Sequence, residues 1–174
     1  MKRTLWQSLA ILLLTLSAAT AAPYPFDGKV TIDAPPGYTP LSAEEIAIKF
    51  PAGNGPQQVL GNAARNTTIA YKTTQLPPTK PEDMPKALPL VQGMLQKAQP
   101  SLNFITSEVK TIHGRPWLFY EFEAQAMDTG IHNLMLLTPA TNGWVGLNFN
   151  STQKQYPAEK DALAQAIASV QLTP

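Results

Sequence analysis

Two pairs of residues in this chain have the types that acid–base chemistry uses. Glu121 and Glu123 are two apart in a stretch of alternating character, so on a strand their carboxylates share one face. There each would raise the other's pKa and support proton transfer. His113 with Asp128 is the second pair, the base and acid of a small hydrolase. Solvated strand charges are the commoner use of such glutamates. His113 sits beside Gly114 and Arg115, which reads as a turn.

Other catalytic classes find less support. The chain has no cysteine, which removes thiol redox chemistry and thiolate metal sites. His113 and His132, its two histidines, are too far apart for a zinc or copper motif and read as strand-end or surface positions. Neither a metal nor a cofactor is expected. Gly53-Asn54-Gly55 lacks the strand-to-helix glycine fingerprint of a phosphate site, and no Gly-x-Ser-x-Gly elbow is present. Asn66-Thr67-Thr68 and Asn150-Ser151-Thr152 match the N-glycosylation pattern, which matters only in a eukaryotic secretory pathway. Tyr38, Trp117, Phe119 and Trp144 are of the types that anchor interfaces, with buried packing against a sheet as the commoner alternative.

The elements that must position these residues are read from pattern. Lys29–Asp33 and Ile46–Phe50 read as strands, and Thr67–Thr74, rich in β-branched residues, pairs with the preceding strand across a loop over Gly53–Arg65. Thr79-x-x-Glu82 has capping-box spacing and opens a helix whose Met84, Leu88, Val91, Leu95 and Ala98 share a face. Pro89 predicts a kink or restart near Leu88. Phe104–Ile112, Trp117–Met127, Ile131–Leu137 and Trp144–Asn150 then form an antiparallel four-stranded meander, with turns at His113–Pro116, Asp128–Gly130 and Thr141–Gly143. In it Leu118, Tyr120, Phe122 and Ala124 share one side of their strand, and Val145, Leu147 and Phe149 one side of theirs. Trp117, Phe119 and Trp144 fall on the more polar side, predicted to be covered in part by the helix near Pro81 or by the N-terminal segment. Pro157 opens a last helix, with Leu163, Ile167 and Val170 inward and Glu159 and Lys160 outward.

Residues 1–22 read as a secretory signal peptide: Lys2 and Arg3, an apolar run over Leu9–Leu16, then small residues to Ala22. The run is shorter than the roughly 18–20 residues that span a bilayer, so cleavage after Ala21 or Ala22 is expected. Losing Lys2 and Arg3 takes 13 basic residues to 11 against 12 acidic ones, and the formal charge from +1 to −1. A near-neutral chain with dispersed charge fits neither nucleic acid nor an anionic membrane surface. No later segment reads as a membrane span, so a soluble chain is expected. Residues 23–174 are expected to form a single domain, large enough to fold on a packed core without disulfides.

The order of Asp33–Tyr38, the Gly-Arg-Pro turn within His113–Phe122, Asn142–Asn148 and the ending Ala168-Ser169-Val170 resembles the PsbP-like superfamily, which includes the Ran-binding Mog protein and DcrB-type bacterial proteins. The likeness covers most of Lys29–Leu172. It implies an α+β fold: an α/β/α sandwich with an antiparallel sheet, its C-terminal meander followed by a helix. Members mostly bind proteins or membrane components without catalysis. Those that chaperone secretion effectors do so in the cytoplasm, from which the signal segment separates this chain. The lipid-anchored DcrB-type proteins use a cysteine that it lacks. No family binding residue carries over. The expected function is therefore a non-enzymatic accessory protein of the bacterial periplasm acting on an envelope or secreted protein partner. A carrier with a cavity between sheet and helices is the first alternative, and a hydrolase using His113 or Glu121/Glu123 the second.

Overall fold

The computed structural model describes residues 21–51, 53, 55–126, 129–141 and 143–173. The signal segment up to residue 20 and Asp128 lie outside them. Strands β1 (Ala22–Phe26) and β2 (Val30–Ala34) form an antiparallel hairpin. β3 (Thr39–Pro40), helix α1 (Ala43–Lys49), β4 (Gln58–Gly61) and β5 (Thr67–Thr74) follow. A 3-10 turn over Pro81–Asp83 leads into α2 (Met84–Ala98). The meander is β6 (Asn103–Ile112), β7 (Arg115–Ala126), β8 (Thr129–Ala140) and β9 (Gly143–Thr152), then α3 (Tyr156–Ala168) and β10 (Gln171–Leu172). All strand pairs are antiparallel. They build a seven-stranded sheet in the order β3-β4-β5-β9-β8-β7-β6 and a three-stranded sheet in the order β1-β2-β10.

Apart from an irregularity in β6 between Phe104 and Thr106, residues of the large sheet alternate between its faces, and the two faces are covered differently. Trp117, Phe119, Leu134, Leu136, Ile69, Tyr71, Val145, Leu147 and Phe149 pack against Leu163, Ala166 and Ile167 of α3 and against Phe26, Val30 and Ile32 of the N-terminal hairpin. On the opposite face Leu118, Tyr120, Phe122, Leu137 and Trp144 pack under Met84, Ala87 and Val91 of α2. This is the α/β/α sandwich expected of the resemblance, with the small sheet added beside α3.

Several sequence expectations need correction. Ile46–Phe50 is the end of α1 and its cap, not a strand. The Ser42 hydroxyl accepts from Glu45 N–H at 3.2 Å and the Glu45 carboxylate accepts from Ser42 N–H at 2.7 Å, a reciprocal cap that nucleates the helix. Ile46 and Phe50, one turn apart, then pack on Leu41, Val59 and Ala70, while Ile48 is 75% exposed. The partner of β5 is accordingly β4, inside the expected loop. No side chain caps the turn after Thr79, whose hydroxyl donates to the Pro77 carbonyl instead. Pro89 does not break α2, which continues as one helix to Ala98. Pro89 costs the helix one backbone hydrogen bond, to the Pro85 carbonyl, and the helix runs on despite it. Trp144 lies on the α2 face, opposite Trp117 and Phe119. Cross-strand pairing fixes this, because Leu118 pairs Leu137 and Leu137 pairs Gly146, two residues from Trp144 on the same face.

Candidate binding cleft

On the α2 face the helices leave the middle of the sheet uncovered. α1 packs over the β4 edge and α2 over β6 and β7. Between them lies a cleft of about 770 Å³. Its floor is Ala70, Lys72 and Thr74 of β5, Gly146, Asn148 and Asn150 of β9, and Met135 and Leu137 of β8. One wall is Val91, Met94, Leu95 and Ala98 of α2, and the other is Lys49, Phe50, Pro51, Gly55 and Pro56 at and after the end of α1. The surface is mainly hydrocarbon. Met94 is 54% exposed, and Leu90 on the outer side of α2 is 69% exposed.

The polar groups of the cleft are few. Lys49 donates to the Arg65 carbonyl at 3.0 Å, and burial holds its pKa below the usual lysine value. Lys72 lies in the floor. The Asn148 side-chain oxygen is buried with no hydrogen-bond partner. Among the described residues no aspartate, glutamate or histidine lines the cleft, and Glu121, Glu123 and His113 lie outside it.

Those residues lie elsewhere. Glu121 and Glu123 do share a face of β7, but it is the face under α3. Glu121 Oε1 is 2.9 Å from His132 Nε2 on β8, and Glu123 accepts from Asn103 at 3.4 Å. His132 is 7% exposed and its ring stacks on Tyr156 of α3 at 3.6 Å, so it is a packed residue of the sheet and not a strand-end or surface one. Beside it the Thr67 and Ser151 hydroxyls bond each other at 2.9 Å, both buried. His113 is in the two-residue β6–β7 turn with φ of 48°, followed by Gly114 at 75°. This type I′ geometry explains the turn, and the side chain is exposed.

The four interface-type aromatics are also placed. Trp117, Phe119 and Trp144 are 1%, 5% and 2% exposed, so their rings serve packing. Lys110 lies over the Phe119 ring at 3.7 Å, and Trp144 Nε1 donates to the Pro77 carbonyl at 3.0 Å. Tyr38 is half-buried and donates to Glu159 at 3.1 Å. Burial first, then the Glu159 charge, pushes its pKa far up. Glu159 also accepts from Asn62 and Gln155, so it ties α3 to the loops around it instead of facing out. A cavity between sheet and helices is among the sequence expectations, but none of the residues that line this cleft is. Its signal is the contrast within two strands, where Ile69 and Tyr71 alternate with Ala70 and Lys72, and Val145, Leu147 and Phe149 with Gly146, Asn148 and Asn150.

A sandwich of this order, with its C-terminal meander and closing helix, is the PsbP-like fold. Solved structures carry the same arrangement. The cyanobacterial PsbP of Synechocystis sp. PCC 6803 is similar with a TM-score of 0.63 at 12% identity, covering 91% of this chain and 96% of that one. LpqN of Mycobacterium tuberculosis, involved in cell envelope biogenesis, gives 0.56 at 15%, with 91% and 88% covered. The Ran-binding protein Mog1p of Saccharomyces cerevisiae gives 0.55 at 12%, with 89% and 96% covered. No protein-family model matches the chain, and no curated protein matches it in sequence. Among the described residues no helix is long and apolar enough to cross a membrane.

Proposed function

We propose that this chain is an exported, non-enzymatic accessory protein of the bacterial periplasm that binds a protein partner in the cleft between α1 and α2. The observation that carries the reading is the cleft: an apolar recess on a sheet face whose opposite side is sealed, with no acid–base pair in its lining. Residues 1–22 supply the export signal and would leave a chain beginning at Ala22 or Pro23. An envelope protein and a Ran-binding protein among similar structures are compatible with work done by contact. The partner in this reading is an envelope or secreted protein.

The chain has no cysteine, so a single introduced one can be labelled cleanly. A benzophenone attached at M94C, in the cleft wall, should crosslink one protein in periplasm, and the same label at K160C on α3 should not. Equal capture at both positions would sink the reading. A volume of about 770 Å³ also lies within the range of small-molecule sites, which favours a ligand carrier as the second reading. Native mass spectrometry of the purified chain with a retained small molecule, and no crosslink at M94C, would establish that alternative.

A further inference from the structure

We propose that two copies of this chain pair antiparallel along the outer edge of β6, about a two-fold axis at Val109. This surface is separate from the cleft and does not depend on the binding reading above.

β6 ends the strand order of the large sheet, and among the described residues no backbone group outside β7 bonds to it. The β6–β7 turn fixes which of its groups face outward. Ile112 and Arg115 flank a two-residue turn and so exchange both hydrogen bonds. Such pairs recur at every second residue, at Lys110 with Trp117 and at Glu108 with Phe119. Pro116 agrees, since it has no N–H to give and its mate Thr111 falls in the alternate, non-bonded set. Ser107, Val109 and Thr111 therefore aim their N–H and C=O groups away from β7. A strand laid antiparallel beside them would satisfy all of these groups.

Charge selects a second copy as that strand. With Val109 opposite the partner's Val109, Glu108 faces the partner's Lys110 and Lys110 the partner's Glu108. These fall in the non-bonded pairs, where side chains approach most closely. Sliding the strands by one hydrogen-bonding step either way would instead set Glu108 on Glu108 or Lys110 on Lys110. Within one strand Lys110 Nζ is 3.3 Å from Glu108, with the two side chains 37% and 49% exposed. That contact leaves further donors on the ammonium and lone pairs on the carboxylate, so the four charges can close into an alternating ring. A lone lysine blunts a sheet edge, whereas lysine beside glutamate makes this one self-complementary. The same register joins Ser107 to Thr111 and lays Ile105, 52% exposed, beside the His113 turn of the other copy.

Sedimentation velocity from about 10 µM to about 1 mM should show a monomer passing into a dimer. E108K and K110E each put like charges opposite and should weaken the dimer about tenfold, while E108K/K110E exchanges the charges and should restore it. That rescue also shows that the single variants lost pairing and not folding. The chain has no cysteine, so V109C reports the register. Its two Cα atoms would stand about 5.5 Å apart, within disulfide reach, and mild oxidation should give a covalent dimer. S107C, whose own copy would lie beyond that reach, should stay monomeric on oxidation. A parent chain that remains monomeric over this range, a dimer indifferent to E108K, no recovery in E108K/K110E, or oxidation at S107C in place of V109C overturns the proposal.

Discussion

Replacing His132 by phenylalanine should destabilise the fold by about 2 kcal/mol through one group, the carboxylate of Glu121. An ionised carboxylate only accepts, so the 2.9 Å contact to His132 Nε2 makes the ring the donor. Phenylalanine keeps an aromatic face for the Tyr156 stack, 3.6 Å away and 17° from parallel, so packing is nearly conserved. What is lost is a hydrogen bond to a charged group, worth about 1.5–3 kcal/mol when a buried partner is left without it. The Glu121 side chain is 23% exposed, so water recovers part of that and the lower half of the range applies. For a chain of this size about 2 kcal/mol lowers Tm by about 4–8 °C. The assay is urea unfolding followed by circular dichroism on H132F, E121M and the double variant. The double variant should regain most of the loss, because it removes acceptor and donor together. If H132F unfolds at the parent urea concentration, or the two single effects simply add, the hydrogen bond between His132 of β8 and Glu121 of β7 does not stabilise the fold.

Three other perturbations follow from the same contacts. Burial raises the pKa of Tyr38 and Tyr120 well above the ordinary tyrosine value of about 10, so the folded chain keeps protons that the unfolded chain has lost. Stability from these groups is complete below pH 10 and falls as pH rises above it; absorbance at 295 nm should show native tyrosines ionising later than those in guanidinium, and coincident curves would contradict this. N148L removes a buried amide oxygen that has no partner, so stability should rise by about 1 kcal/mol, read as a later urea midpoint, and a destabilised variant would mean that the oxygen is satisfied. Expressed in a bacterium with its first 22 residues, the chain should be recovered from the periplasm with an intact mass beginning at Ala22 or Pro23. Recovery from the cytoplasm at full mass would refute export.

The meander was legible because β6 to β9 are long, β-rich and punctuated by turns such as His113-Gly114. α1 was not, since its seven residues carry apolar side chains two apart, at Ile46 and Ile48, and the Ser42–Glu45 cap outweighed that alternation. β10 and β3 are two residues each, too short for any period, and exist only because β2 and β4 supply partners. The His132–Glu121 contact joins residues 11 apart, and its register depends on the length of the β7–β8 hairpin. Alternation also sorted residues correctly within each strand, yet it cannot say which side of one strand matches which side of the next. Hence Trp144 was grouped with Trp117 and Phe119 although pairing puts it on the other face.

The division between the two faces explains why binding belongs on one of them. Under α3 the sheet meets a helix and a second sheet, and the large buried side chains of β5 and β9 point there, Tyr71 and Phe149 among them, with Trp144 at the start of β9 the exception under α2. With the core so placed, the alternate positions of the same strands are free to carry small and polar residues at little cost in burial. Ala70, Gly146, Asn148 and Asn150 occupy them, and of these two strands α2 covers only the Trp144 end of β9. A guest in the cleft would therefore add apolar contact without displacing any side chain of the α3 core. It follows that a variant weakening the α3 face, such as H132F, should lower stability while leaving the crosslink from M94C in the cleft wall unchanged. The two effects are separable because the seven-stranded sheet stands between them.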